Sequence, residues 1–199
     1  MSSLAWRPPI LETERLYLRP LDENDADAVF AYAGNPNMTH YTLWETHRSR
    51  DDSLLFVRDY AYSRYCERVP EPLGMTLRER PDWVIGSLGC FWVSKPNAIM
   101  ELGYALSERY WGQGLVVEAA RVLLDYTFTE YPVERMQARV VVENRASHRV
   151  LQKLGFVFEG NQRAALFRRG KFWDVAYYSV LRAEWEQLRG LPPSMLHLV

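Results

Sequence analysis

The sequence predicts a single mixed α/β domain built around a central sheet. Segments of alternating apolar and polar residues are interleaved with segments of helical spacing. Their order is strand, two helices, strands, and then strand–helix–strand–helix–strand. A chain of 199 residues is long enough to bury one complete core. The composition, 48% hydrophobic and 25% charged, is that of an ordinary folded domain rather than a disordered or fibrous chain.

The N-terminal elements are predicted from alternation and from helix-end signals. Residues 15–21, RLYLRPL, alternate and predict the first strand. Asp22 is placed to cap a helix, and Gly34 marks its end. A second helix is predicted from about Ser49 to Tyr65, because apolar residues recur there on one face.

Residues 66–82, CERVPEPLGMTLRERPD, are rich in proline and charge and are predicted to form a loop or an insertion. The tail 190–199, GLPPSMLHLV, is expected to be poorly ordered unless it docks on a partner. The other predicted elements are one strand at 83–93 or two around a break, a strand at 98–107, a helix from Leu115 with Leu115, Ala119, Val122 and Tyr126 on its apolar face, a strand at 135–142, a helix at 147–154 closed by Gly155, and a strand at 172–181 followed by a polar turn or helix.

Charge and cysteine content narrow the class of protein. The formal net charge of −1 indicates no general attraction to nucleic acid or to a membrane surface. Cys66 and Cys90 are the only cysteines, which predicts reduced thiols in a cytoplasmic protein. No apolar run reaches the length of a membrane span, and the N-terminus lacks a signal-peptide core. Four scattered histidines, without a ligand motif, predict no metal site: His40, His47, His148 and His197.

Residues 109–114, RYWGQG, place two glycines at a strand-to-helix junction. A helix start has free N–H groups and partial positive charge, and glycine lets a phosphate approach the backbone closely. No Gly-Lys-Ser/Thr follows, so this is not a P-loop, and Val117 occupies the third glycine position of a dinucleotide fingerprint. An anion site and a tight turn without a ligand both remain open.

The pattern Arg109-x-x-Gly112-x-Gly114 resembles the Arg/Gln-x-x-Gly-x-Gly/Ala signature of the GNAT superfamily of acyl-coenzyme A N-acyltransferases. The chain further resembles its ribosomal-protein-acetyltransferase-like (RimJ/RimL-like) branch over roughly residues 10–185. The segments that carry this resemblance are LETERLYLRPL (11–21), YTLWETHRS (41–49), ELGYALSERYWGQGL (101–115), VENRASHRVLQKLGF (142–156) and GKFWDVAYYSVL (170–181).

The resemblance implies one GNAT domain, a mostly antiparallel sheet with a splayed parallel pair and flanking helices, and acetyl-coenzyme A as co-substrate. Asn144 would hydrogen-bond the pantetheine arm, although a helix-capping role for Asn144 is equally open. The other residues implied in coenzyme binding are Arg109, which opens the signature, the backbone amides of Gly112, Gln113, Gly114, Leu115 and Val116 for the pyrophosphate, and the strand through Tyr104 and Leu106 for the pantetheine.

Acetyl transfer to an amine needs a base, because a lysine-type amine is mostly protonated near neutral pH, and a proton donor for the leaving thiolate. Glu101 is the first candidate base, and the alternatives are a solvated carboxylate or the partner of an arginine. Ser147 is the candidate proton donor or hydrogen-bond donor to the thiolate, and the alternative is a serine capping its own helix.

The chain departs from its relatives at two positions. Leu151 stands where many GNAT enzymes have a tyrosine. Leu166 stands near a position where some members of the branch have a glutamate that acts as the general base. The remaining candidates are Glu45, His40 and His47 as reserve bases, Asp174 as a loop anchor or amine ligand, the basic turn FRRGK (167–171) as a solvated tip or a contact for an acidic acceptor, and Trp44 and Trp111 as core residues by default or as channel lining.

Three functions are weighed. The first is an acetyl-coenzyme A-dependent N-acetyltransferase acting on a protein N-terminal α-amine or a small amine. The second is a non-catalytic acyl-coenzyme A-binding module of the same fold, which senses the coenzyme or contacts a partner. The third is a nucleotide-binding protein unrelated to acyl transfer. The acceptor cannot be identified from the sequence, and a homodimer is left open by analogy alone.

Overall fold

The computed structural model describes residues 6–189, so the predictions for the tail 190–199 and His197 lie outside the described part of the chain. Eight strands are present: β1 (Leu11–Glu12), β2 (Leu16–Pro20), β3 (Leu73–Leu77), β4 (Arg80–Ser94), β5 (Ile99–Leu106), β6 (Arg135–Val141), β7 (Val157–Arg168) and β8 (Lys171–Leu181). Six α-helical segments accompany them: α1 (Ala26–Ala33), α2 (Arg50–Leu55), α3 (Tyr62–Cys66), α4 (Leu115–Glu130), α5 (Arg145–Lys153) and α6 (Arg182–Arg189).

Capping residues explain where the N-terminal helices begin. The Asp22 carboxylate accepts the Asn24 N–H in a capping box that opens a 3₁₀ turn, and α1 follows directly. Ser49 forms a second capping box with Asp52 at the start of α2. A π-helical stretch, Phe56–Ala61, joins α2 to α3, so the predicted helix from Ser49 to Tyr65 is confirmed as one nearly continuous helical segment.

The chain forms two compact units, and β4 and β5 run through both. The first unit contains residues 6–91 and 103–127. Within it β1, β2, β3 and β4 pair antiparallel in that order. Side chains of α1 pack with Leu21, Val84 and Ala105 into a buried cluster. Burial of these apolar side chains is the main stabilising term for this unit.

The second unit contains residues 92–102 and 128–189. There β6 pairs antiparallel with β8, and β8 pairs antiparallel with β7. β5 runs parallel to β6, and their register is confined to Ile99–Glu101 against Arg135–Gln137. The predicted class is confirmed: a mixed α/β fold whose strands pair mostly antiparallel, with one parallel pair.

Three predictions of local structure need correction. The segment 66–82 is not a loop or insertion, because it contains β3, which lies between β2 and β4. β3 is buried on both faces and so lacks the alternation that identifies a strand. β7 was missed because nearly all of its side chains are exposed. The apolar face of α4 is also different: Val122 and Tyr126 are half-buried, and the buried residues of α4 are Leu115, Val116, Ala119, Ala120, Leu123, Leu124, Thr127 and Phe128.

Glu71, just before β3, is expected to make the stability of the fold depend on pH. Burial raises its pKa from 4.5 to about 6, although the Tyr60 hydroxyl (2.7 Å) and Arg64 oppose the rise. The folded state therefore binds this proton more tightly, and stability is lost as pH rises from 4.5 through about 6. Glu71→Gln should exceed the wild type in unfolding free energy by about 2 kcal/mol at pH 7.5, and by little at pH 4.

Chemical denaturation at the two pH values measures this effect. Glu67→Gln is the matched control, since Glu67 contacts the same Arg64 guanidinium at 3.2 Å but is largely exposed. An equal effect of Glu71→Gln at both pH values would contradict the assignment.

Candidate active site

The glycine turn lies between β5 and α4 in the first unit. After Leu106 the chain makes a 3₁₀ turn at Glu108–Tyr110, and then Gly112 and Gly114 adopt φ values of +75° and +77°. Residues with a Cβ adopt such angles at a cost of roughly 1–2 kcal/mol, so glycine explains how the chain reverses here. The helix begins at Leu115, immediately after the second glycine.

Two side chains hold this turn in place through its backbone. The Trp111 indole Nε1–H donates to the Leu106 carbonyl at 2.7 Å, and Arg15 Nη1 donates to the Gln113 carbonyl at 3.1 Å. Trp111 is 48% exposed, so the expectation that it packs in the core by default is wrong. Its role here is to fix the entry to the turn while the ring stays partly in solvent.

Glu118, one turn into α4, anchors the same region to the start of β2. Its carboxylate accepts from the Thr13 hydroxyl (2.6 Å), the Arg15 backbone N–H (2.9 Å) and Arg15 Nε (2.7 Å). Burial raises the pKa of this carboxyl, but these donors lower it more, and the net shift is downward. Sequence reasoning missed Thr13 and Arg15, because no local pattern links positions about a hundred residues apart.

The turn fits the requirements of a phosphate cradle. Within residues 6–189, the first N–H of this helix that donates to a backbone carbonyl belongs to Glu118, which bonds Gly114 O at 3.1 Å. The amides before it are the free donors of a helix N-terminus. A Cβ on Gly112 would meet nothing within 4 Å, so packing against the chain itself does not require glycine there. Space and donors are therefore both present for an anion.

The other coenzyme candidates of the first unit surround this turn in sequence. On β5, Tyr104 is half-buried and Leu106 is buried. Arg109 is exposed within the 3₁₀ turn, and its carbonyl accepts from Gln113 Nε2 at 3.4 Å.

Glu101 lies in the second unit, at the last register position of the parallel β5–β6 pair. It is only 4% exposed. Arg139 Nε lies 3.0 and 2.9 Å from its two carboxylate oxygens, and Gln137 Nε2 donates to Oε2 at 2.9 Å. The alternative that Glu101 is the partner of an arginine is therefore confirmed. This arrangement holds the carboxylate in a fixed orientation, which a base also requires.

Asn144 and Ser147 come together at the start of α5, also in the second unit. Asn144 is the N-cap, and its side-chain oxygen accepts the Ser147 N–H at 3.2 Å. The capping interpretation of Asn144 is thus confirmed. The next residue, His148, is held by the Val142 carbonyl (3.1 Å) and the Tyr178 hydroxyl (2.7 Å). Because the carbonyl only accepts, Nε2 donates to it, and Nδ1 is paired with the Tyr178 hydroxyl.

The two secondary candidates on β7 and β8, Asp174 and the turn FRRGK, both form part of the β7–β8 hairpin. Asp174 accepts the Ala164 N–H at 2.8 Å, and its carbonyl accepts the Val142 N–H at 3.1 Å, so the predicted anchoring role is confirmed. Leu166 lies opposite Trp173 in the β7–β8 pair. The turn FRRGK is the tip of this hairpin, as its composition indicated.

The candidates before α2 lie near the aromatic side chains of the first unit. His47 Nδ1 lies 2.7 Å from the Ser53 hydroxyl, and burial lowers its pKa. The Trp44 ring is tilted against the His47 ring, with the ring centroids 5.4 Å apart, and Trp44 is 37% exposed, so core packing is wrong for this tryptophan as well. His40 and Glu45 belong to the same stretch, and His40 contacts the Tyr41 ring.

Among residues 6–189, no three His, Cys, Asp or Glu side chains are grouped so that they could hold a metal ion. In the same part of the chain, no helix has the length and apolar composition needed to cross a membrane.

Comparison with known proteins identifies the protein family to which this fold and this glycine turn belong. The acetyltransferase (GNAT) domain model matches residues 15–157, and the chain belongs to this family. It is an acetyl-coenzyme A-dependent acyltransferase. It is 32% identical over 178 residues to the uncharacterized N-acetyltransferase p20 of Bacillus licheniformis, covering 88% of this chain and 97% of p20.

One further relative supports the RimJ/RimL-like branch, and one solved structure of that branch shares the fold. The relative is a Bacillus subtilis protein provisionally named ribosomal N-acetyltransferase YdaF, to which this chain is 36% identical over 90 residues. The match covers 45% of this chain and 49% of YdaF. RimL, a ribosomal L7/L12 alpha-N-protein acetyltransferase solved with coenzyme A, superposes with a TM-score of 0.75 at 20% identity. That match covers 87% of this chain and 98% of RimL, and at this identity it shows the fold alone.

Proposed function

We propose that this protein transfers the acetyl group of acetyl-coenzyme A to a primary amine, by direct attack of the amine within a ternary complex. The acceptor is a protein N-terminal α-amine or a small-molecule amine. The glycine turn carries the proposal: two left-handed glycines open α4 beside free backbone amides, in a chain of the GNAT family. The whole chain acts as one catalytic domain.

The coenzyme is held mainly by backbone groups. The helix-start amides donate to the pyrophosphate, and Arg109, at the head of the turn, adds a cation. The β5 backbone at Tyr104 and Leu106 pairs with the pantetheine arm. Asn144 caps α5 through its side-chain oxygen, which leaves its amide N–H₂ as a donor for the same arm. The residues that donate to the pyrophosphate are Gly112, Gln113, Gly114, Leu115 and Val116.

The bound thioester supplies the activated acetyl group, and protein side chains accept the proton of the amine and hydrogen-bond the leaving thiolate. Glu101 accepts a proton from the amine, directly or through a water, and Arg139 and Gln137 keep its carboxylate oriented. The Ser147 hydroxyl donates a hydrogen bond to the departing thiolate. The side chains of Leu151 and Leu166 can neither accept nor donate a proton, so Glu101 and Ser147 are the first candidates for these roles, with Glu45, His40 and His47 as reserve bases.

The proposal is tested by ligand-induced stabilisation together with thiol release. Acetyl-coenzyme A at about 100 times its Kd should stabilise the fold by about 2.7 kcal/mol, whereas ATP and NAD should not. Free coenzyme A should then appear only when an amine is added from a panel of amino acids, polyamines and N-terminal peptides. Stabilisation without thiol release from any amine would overturn the proposed transfer.

A further inference from the structure

One face of the sheet in the second unit carries a row of polar side chains. Along β6 the residues Met136, Ala138 and Val140 are buried, whereas Gln137 and Arg139 lie on the opposite face. Arg139 is the last polar side chain of this row before β6 ends. It is exposed, and it lies two residues beyond the point at which the parallel pairing with β5 stops.

The contacts of Arg139 with Glu101 use only part of its hydrogen-bonding capacity. Both contacts with the Glu101 carboxylate are made by Nε, at 2.9 and 3.0 Å. Tyr177 is its neighbour across the β6–β8 pair. A guanidinium has five N–H donors, and the contacts that Arg139 makes with Glu101 use one of the five. Of the Arg139 side chain, 38% is exposed to solvent.

The Arg139 guanidinium stays positively charged at neutral pH. Burial lowers the pKa of Arg139, but the hydrogen bond and charge of Glu101, together with Tyr177, raise it more, and the net shift is upward. A buried carboxylate thus fixes the orientation of a permanently charged planar group. Such a group is suited to bind a carboxylate through two parallel hydrogen bonds.

We infer that Arg139 is a specificity-determining residue that binds a carboxylate carried by the amine acceptor. This inference rests on the proposed function and names its substrate class: amines with a nearby carboxylate, as in a free amino acid or at the acidic N-terminus of a peptide. The Glu101–Arg139 pair is complementary to such an acceptor. The amine lies toward the Glu101 carboxylate, and the acceptor carboxylate lies toward the Arg139 guanidinium.

Matched acceptors test the inference. The value of kcat/KM is measured for free amino acids against their carboxamides, and for peptides that begin with Asp against those that begin with Asn. The amino-acid pair and the peptide pair distinguish the two sources of the carboxylate. In the wild type we expect a preference for the carboxylate in one of the two pairs. In Arg139→Met the ratio of kcat/KM for the carboxylate over the carboxamide should fall about tenfold or more. The kcat of both acceptors should fall as well, because Arg139 also orients Glu101, so the ratio between the acceptors is the readout.

Arg135→Met is the matched control, because Arg135 lies on the same face of β6 and also pairs with a glutamate, Glu159, although through Nη1 and Nη2 rather than Nε. It should alter stability without altering the carboxylate preference. Arg139→Lys keeps the charge but loses the planar donor geometry, so it should retain part of the preference. An unchanged carboxylate-to-carboxamide ratio in Arg139→Met would overturn the inference while leaving acetyl transfer intact.

A second measurement does not depend on the stability of the variant. Carboxylic acids that lack the amine are used as competitors of the acceptor. In the wild type, each acid should compete more strongly than the corresponding amide. If no amine is acetylated, the proposed function fails, and the same acid–amide pair is compared by thermal shift in the presence of acetyl-coenzyme A. Equal binding of acid and amide would then overturn the inference by itself.

Discussion

Glu101→Gln is expected to lower kcat about a hundredfold or more while the affinity for acetyl-coenzyme A stays within about twofold. A general base contributes roughly 10²–10⁴-fold, and glutamine keeps the size of the side chain but cannot take a proton. Glu101 is buried in a fixed contact with Arg139 and Gln137, so the variant should preserve the local packing. Steady-state rates and coenzyme titration measure the two effects separately.

Glu159→Gln is the control for this prediction. Glu159 forms the comparable ion pair with Arg135 and accepts from Ser179 at 2.8 Å, and no catalytic role is proposed for it. Its substitution should leave kcat close to that of the wild type. Wild-type turnover in Glu101→Gln would reduce Glu101 to an ion-pair partner and transfer the base role to another group. Ser147→Ala should lower kcat less, because a hydroxyl only hydrogen-bonds the thiolate.

Gly112→Ala is expected to weaken acetyl-coenzyme A binding at least about tenfold. A methyl group would occupy space that the chain leaves open, where the proposed pyrophosphate approaches, and alanine at a φ of +75° is strained. Calorimetric titration measures the loss of affinity directly, and chemical denaturation measures the accompanying loss of stability, about 1 kcal/mol.

Gly170→Ala provides the matched control for the backbone strain. Gly170 also has a φ of +75°, and a Cβ there would likewise meet nothing within 4 Å, but it lies at the tip of the β7–β8 hairpin. Both variants should lose similar stability, and only Gly112→Ala should lose coenzyme affinity. Equal coenzyme affinity in both variants would show that the glycines serve only to make the turn.

Local patterns predicted most of the fold. The capping signals at Asp22 and Ser49 and the closing Gly155 with its φ of +80° all lie where the sequence indicated. β3 escaped prediction because burial on both faces removes alternation and leaves Pro72 and the flanking charges as the dominant signal. β7 escaped for the opposite reason, since exposure of both of its faces leaves no apolar pattern.

The candidate site likewise contains one part that the sequence predicts and one part that it does not. The glycine turn is a contiguous stretch whose backbone requirement is visible in residue type, so it could be recognised without coordinates. The pairing of Glu101 with Arg139 depends on the register of two parallel strands. Residue type indicates that a carboxylate can pair with an arginine but not which arginine, so only the strand register could identify the partner.

The bracing of the glycine turn by Arg15 and Glu118 couples two regions far apart in the chain. Arg15 bonds both the Glu118 carboxylate and the Gln113 carbonyl, so the start of β2 and the start of α4 share one set of hydrogen bonds. A ligand that binds the turn therefore stabilises the first long strand by linkage, and loosening that strand weakens the ligand by the same factor. For the proposed coenzyme site, the affinity then depends in part on Thr13 and Arg15, about a hundred residues before the turn.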